Sequence, residues 1–128
     1  MVNDSIADFC TRIRNAYMVN KITTLVSYTK TAEKLAQLLV KEGYIEKYKV
    51  GQTQEITIYL KYDEKNKPAL SVIDRISKPG MRIYKRVNEI KRVLSGKGLA
   101  IYSTSKGLMT DLDARKNKIG GELVCQVW

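Results

Sequence analysis

Residues 98–127 read GLAIYSTSKGLMTDLDARKNKIGGELVCQV, and this stretch decides how the chain is organised. The apolar run Leu99-Ala100-Ile101-Tyr102 has the composition of a buried strand. Three hydroxyl residues end it, Ser103, Thr104 and Ser105, followed by Lys106 and Gly107. A hydroxyl both donates and accepts hydrogen bonds. Three of them at a strand end, beside a cation and backbone amides freed by a turn, suit phosphate oxygens, ribose hydroxyls and base edges. The same residue types are also ordinary turn formers that satisfy their own backbone. Thr110 is placed to cap a short helix, with Asp111 and Asp113 in its first turn and Arg115 and Lys116 in its last. Gly120-Gly121 breaks that helix, and residues 122–127 form a closing strand.

Outward from this stretch, charge is the strongest signal. The 128 residues carry a formal charge of +10, and 44% of them are apolar, enough for a core. Residues 1–64 hold nine Lys/Arg against eight Asp/Glu, whereas residues 65–128 hold fourteen against five. The electrostatic footprint therefore belongs to the C-terminal half. It implies a polyanionic partner, nucleic acid first and an anionic membrane surface second. No apolar run approaches membrane-spanning length, and no signal-peptide core is present, so a soluble intracellular chain is expected. Cys10 and Cys125 stand alone on apolar elements and there is no histidine, so the common zinc sites are unavailable.

In chain order, residues 4–18 form an amphipathic helix with Ile6, Phe9, Cys10, Ile13, Ala16 and Tyr17 on one face, capped by Asp4 or Ser5. Its other face carries Asp8, Thr11, Arg12 and Asn15, with Arg14 at the flank. Asp8 and Arg12 are spaced for an ordinary i,i+4 ion pair; the alternative is an RNA-backbone contact through Thr11, Arg12, Arg14 and Asn15. A strand at 22–28 precedes Thr29-Lys30-Thr31 and a second helix that stops at Gly43. Lys30 opposes the dipole at a helix start, which favours an anionic partner there. Residues 44–50 and 55–62 form two strands about a turn, and 69–76 a further strand. The order is α-β-α-β-β-β, an α+β fold in which a small N-terminal α/β unit (1–66) packs on a mostly β C-terminal unit (67–128) with a short helix. The tyrosines of the first unit are expected as sheet packing rather than base-stacking platforms.

The most basic segment begins at Arg75. Ser77-Lys78-Pro79-Gly80 is a turn in which proline fixes φ and glycine frees it. Arg82, Tyr84, Lys85 and Arg86 follow, and 88–94 form a short helix stopped at Gly96. A cationic surface with a tyrosine able to bond or stack fits phosphate contacts. Enzymatic readings are poor. Ser103-Thr104-Ser105-Lys106 matches Ser-x-x-Lys, but the companion signatures of penicillin-recognising enzymes are missing. No histidine is available for a triad, and Asp111 and Asp113 are better read as dipole partners than as a carboxylate pair. No helix-turn-helix with a basic recognition helix supports a DNA-coating protein.

Three stretches, DSIADFCTRIRNA (4–16), ISKPGMRIYKR (76–86) and STSKGLMTDLDAR…GGELVC (103–125), resemble the signatures of the S-eight family of small-subunit ribosomal proteins, in family order. The resemblance implies a primary binder of the central domain of small-subunit ribosomal RNA, one that grips an irregular hairpin stem early in assembly and helps to build the platform. It implies neighbouring small-subunit proteins as partners and no cofactor, small-molecule substrate or membrane. In bacterial members such a protein also represses its own operon's messenger, which supplies the alternative function. Carried onto this chain, Ser103, Thr104, Ser105, Lys106 and Gly107 meet the distorted stem. Glu122 accepts from base or ribose donors or orients the serine loop, and Arg82, Tyr84 and Lys85 give packing and phosphate contacts. Arg12, Arg14 and Lys30 form a looser second surface. Segment 46–69 carries no family motif, and Gln126 stands where a tyrosine is common, so neither receives a role. The ending Cys125-Gln126-Val127-Trp128 is similar to plastid and cyanobacterial members. With no import signal ahead of the first helix, a plastid ribosome is expected, with a bacterial cytoplasm as the alternative.

Overall fold

The computed structural model describes residues 2–78, 80–91 and 97–128. The chain divides into two compact units, residues up to Ser71 and Val72–Trp128. The class is α+β.

The first unit runs α1 (Val2–Met18), β1 (Thr23–Ser27), α2 (Lys30–Lys41), β2 (Ile45–Val50) and β3 (Glu55–Leu60). Its sheet is antiparallel in the order β1-β3-β2. The period-two pattern of β3 buries Ile56, Ile58 and Leu60 on one face. Both helices cover the sheet, α1 against β1 and α2 against β2. The α1 stripe from Ile6 to Tyr17 is buried as the 3.6-residue spacing requires, as are Ala32, Leu35, Ala36, Leu38 and Leu39 of α2. Tyr17 ties the layers: its hydroxyl donates to the Tyr44 carbonyl at 2.7 Å and accepts from Lys61 N–H at 3.1 Å. Burial pushes its phenol pKa upward.

Several boundaries differ from the sequence reading. Helix α1 begins at Val2, so residues 4 and 5 lie inside it and do not cap it. Ser5 instead serves the next helix: its Oγ lies 2.7 Å from Thr29 Oγ1, the N-cap of α2, which also accepts from Ala32 N–H at 2.9 Å. Thr29→Ala should therefore cost about 1 kcal/mol by losing the cap. Thr29→Ser should not, and urea melts followed by helical circular dichroism will separate the two. Strand β3 ends at Leu60, and Tyr62 leaves it to donate to the Lys21 carbonyl at 2.6 Å, its ring edge-on to Tyr17 at 5.6 Å. Tyr59 lies under the Lys47 ammonium, 4.7 Å from its centroid.

The strand expected at 69–76 is split between the units. Pro68 bridges Tyr62 and Ala69 N–H donates to the Lys61 carbonyl at 2.9 Å, so the chain still belongs to the first unit there. Val72 then exchanges backbone hydrogen bonds with Trp128, and β4 (Ile73–Arg75) pairs with the last strand. The division thus falls at Ser71, a few residues beyond the polar loop at 63–68.

The second unit continues with β5 (Tyr84–Lys85), a 3-10 turn (Val87–Glu89), β6 (Leu99–Thr104), β7 (Gly107–Thr110), α3 (Asp111–Lys116) and β8 (Gly121–Val127). Its antiparallel sheet has the order β4-β8-β6-β7, with β5 also on β8. Ala100, Tyr102, Leu123, Ala114 and Ile90 form the core between sheet and helix. Burial, aided by the nearby Asp111, raises the Tyr102 phenol. Thr110 caps α3 as expected, accepting from Asp113 N–H at 3.1 Å. Strand β7, by contrast, forms in the run before Thr110, which has no strand signature of its own. Where a helix is expected at 88–94, the described residues show a 3-10 turn at Val87–Glu89, and residues 92–94, Gly96 and Pro79 lie outside the described residues.

Candidate nucleic-acid interface

Strand β8 is built to carry two short strands on one edge. Its register with β6 shifts between Ile101 and Tyr102, leaving Val124 as the extra residue of a bulge. β4 pairs on one side of the bulge and β5 on the other; between them Ile76 N–H donates to the Val124 carbonyl at 2.9 Å and Leu123 N–H to the Ile83 carbonyl at 2.8 Å. The described residues between these strands leave the sheet as a finger, across which Lys78 and Met81 exchange reciprocal backbone bonds. Ser77, 3% exposed, closes its base: the hydroxyl accepts from Ile83 N–H at 2.9 Å and faces the Ile83 carbonyl at 3.4 Å. Ser77→Ala strands that amide and should cost about 1–3 kcal/mol. A thermal melt checks the cost, and Ser77→Thr should recover part of it.

The cross-strand register sets Tyr84, Glu122, Ser103 and Leu108 in one row across β5, β8, β6 and β7, so these four share a face. Tyr84 is 65% exposed. Glu122 is largely covered, and Arg82 Nη1 donates to its Oε1 at 3.4 Å. The Arg82 guanidinium thus offsets the one acid of the row. The row ends at the β6–β7 hairpin, where Ser105 and Lys106 form the exposed loop and Gly107 adopts φ +100°. Thr104 Oγ1 donates to the Gly107 carbonyl at 2.8 Å and accepts from Lys106 N–H at 3.1 Å. Its hydroxyl therefore closes its own turn. Among the described residues, the side chains of Ser103 and Ser105 take no hydrogen bond.

Of the expected site residues, Arg82, Tyr84, Glu122 and Ser103 to Gly107 come together, and Lys85 lies beside them opposite Gly121. Arg12, Arg14 and Lys30 belong to the first unit. Arg12 forms the ordinary ion pair, its Nε bonded to both Asp8 oxygens at 3.0 and 3.1 Å and its Nη1 to the Leu25 carbonyl at 3.3 Å. Lys30 is exposed at the first position of α2. Sequence reasoning gave Gly120-Gly121 the role of helix breaker and missed their closeness. A Cβ on Gly121 would run into the Ser103 carbonyl oxygen, and one on Gly120 would sit 2.5 Å from that of Lys85. Paired glycines opening a strand were the available signal.

No group of three or more His, Cys, Asp or Glu able to hold a metal occurs among the described residues, and no described helix is long and apolar enough to cross a membrane.

Comparison with known proteins decides the family. The family described as Ribosomal protein S8 matches residues 4–128, almost the whole chain. The chain belongs to this family. It is 46% identical over the full length of both chains to small ribosomal subunit protein uS8c of Oltmannsiellopsis viridis. It is 45% identical to uS8 of Rippkaea orientalis, with 98% of each chain covered. It is 51% identical to uS8 of Dictyoglomus turgidum, with 99% of this chain and 98% of that one covered. Members of the family are structural constituents of the small ribosomal subunit, not enzymes, and the chain's place is the ribosome and translation.

Proposed function

We propose that the chain is a primary binder of the central domain of small-subunit ribosomal RNA, directing assembly of the platform and remaining part of it among neighbouring small-subunit proteins. The observation that carries this reading is the pair of hydroxyls, Ser103 and Ser105, left unbonded at the end of the Tyr84–Glu122–Ser103 row. A-form RNA hides its major-groove edges, so recognition falls on shape, the shallow groove and distorted bases. Short hydroxyls enter such a site where long cations do not. Glu122 accepts from base or ribose donors, Tyr84 packs, and Arg82, Lys85 and Lys106 meet phosphates. Thr104 and Gly107 hold the hairpin that presents the serines. Arg14, Lys30 and the donors of Arg12 left over from Asp8 supply a looser second surface. The plastid ribosome is the home favoured by residues 125–128; relatives named uS8c and uS8 are about equally similar, and a bacterial ribosome is the alternative.

The test is a titration with a central-domain hairpin against a scrambled stem of equal length over a salt series. The reading requires discrimination that persists as salt rises. Equal binding to both RNAs, collapsing together, would reduce it to counterion release.

A further inference from the structure

Beside the row lies a recess of about 480 Å³ in the second unit. Tyr84, Lys85, Arg86 and Val87 of one segment line it together with Lys118, Gly120 and Gly121. Three basic residues, Lys85, Arg86 and Lys118, line it with one acid, Glu89, whose Oε1 already accepts from Arg86 N–H at 2.8 Å. Cations converging on a concave surface select an anion. Tyr84 and Val87, 65% and 37% exposed, add an aromatic and an aliphatic surface. A bare phosphate has no use for those surfaces, whereas a nucleotide has both a phosphate for the cations and a base for the tyrosine. At its edge Gly120 packs closely on the backbone of the opposing segment, since a Cβ there would meet Lys85 O at 2.5 Å and Arg86 Cα at 3.1 Å. The recess also adjoins the row by register: Tyr84 lies opposite Glu122, and Lys85 opposite Gly121.

We infer that this recess, lined by Arg86 and Lys118 with Tyr84, holds a single unstacked nucleotide, its phosphate on the cations and its base on the tyrosine. Resting on the RNA-binding reading above, the source is a nucleotide turned out of the bound hairpin; a free nucleotide has the same chemistry. Arg86 and Lys118 thereby enter recognition, although neither is in the serine loop.

The experiment places 4-thiouridine at each unpaired position of the hairpin and maps photo-cross-links on the intact protein. The expected result is one position that cross-links to residues 84–89 or 118–121. In the double variant Arg86→Gln, Lys118→Gly that cross-link should weaken about tenfold, as loss of two charge-assisted contacts implies. Lys118 has φ +55°, so glycine there removes the cation without straining the backbone. A melt confirms folding, and Arg86→Gln alone replaces the double variant if it does not fold. In a second arm, adenosine monophosphate is titrated against labelled protein, with the amides of Gly120 and Gly121 as reporters. Shifts there without a recess cross-link identify a free nucleotide as the occupant. Cross-links confined to residues 103–107, with no shift from the monophosphate, overturn the inference. Failure of the hairpin to outcompete the scrambled stem defeats the ribosomal-RNA reading instead, and the monophosphate arm then judges the recess alone.

Discussion

Replacing Gly121 by alanine should destabilise the second unit by about 2–3 kcal/mol and weaken RNA binding with it. The new Cβ runs into the Ser103 carbonyl oxygen and comes within 3.0 Å of Thr104 Cγ2. The carbonyl is backbone of β6, in the pair of strands that sets Glu122 opposite Ser103, so it cannot move aside as a side chain would. Relief requires β8 and β6 to part at the end where the serines are presented. Gly51→Ala is the control: its Cβ meets only the Glu55 carbonyl oxygen at 3.5 Å, and stability should change by less than about 0.5 kcal/mol. Thermal melts and hairpin titrations on both variants make the comparison. An unshifted melt for Gly121→Ala would mean that the strand pair yields more easily than its register suggests.

The second large effect is on affinity alone. The double variant Ser103→Ala, Ser105→Ala should lose about 2–6 kcal/mol of hairpin binding, since each buried, paired hydroxyl is worth roughly 1–3 kcal/mol where its removal strands a partner. Its melting temperature should not move, because neither side chain bonds to the described protein. Thr104→Val should behave in the opposite way. That hydroxyl bridges the Gly107 carbonyl and Lys106 N–H, so its loss falls first on hairpin stability, by about 1 kcal/mol. Wild-type affinity in the serine double variant would remove both residues from the recognition site.

What could be read from the sequence was whatever is local. The α1 and α2 stripes follow from 3.6-residue spacing, and the alternation of β3 from a two-residue period. The Thr110 cap follows from a hydroxyl three residues ahead of the amide it accepts. The three hydroxyls, Tyr84 and Glu122 were picked out by signature residues, and the row adds how β5, β8 and β6 bring them together. What escaped depends on partners distant in sequence. β4 looks like a continuation of the first sheet until Val72 meets Trp128, 56 positions on. Ser77 looks like a turn residue until Ile83 N–H returns to it. The bulge at Val124 has no composition of its own, and the i,i+4 spacing that allows the Asp8–Arg12 pair gives no sign that Arg12 Nη1 also reaches the Leu25 carbonyl.

The topology also bears on how the molecule is made. In the first sheet the strand between its neighbours is β3, the last of the three to be synthesised; in the second it is β8, later than every strand it joins. A chain leaving the ribosome N-terminus first therefore holds each unit open until its final strand arrives. Before residues 121–127 emerge, β4 and β5 have no edge to pair with and the row of Tyr84, Glu122 and Ser103 does not exist. A nascent fragment halted short of β8 exposes unpaired strand edges and lacks the assembled row. If the row is the RNA-binding surface proposed above, that surface is assembled only when β8 joins β4, β5 and β6, and prematurely terminated chains should not compete with finished ones for RNA.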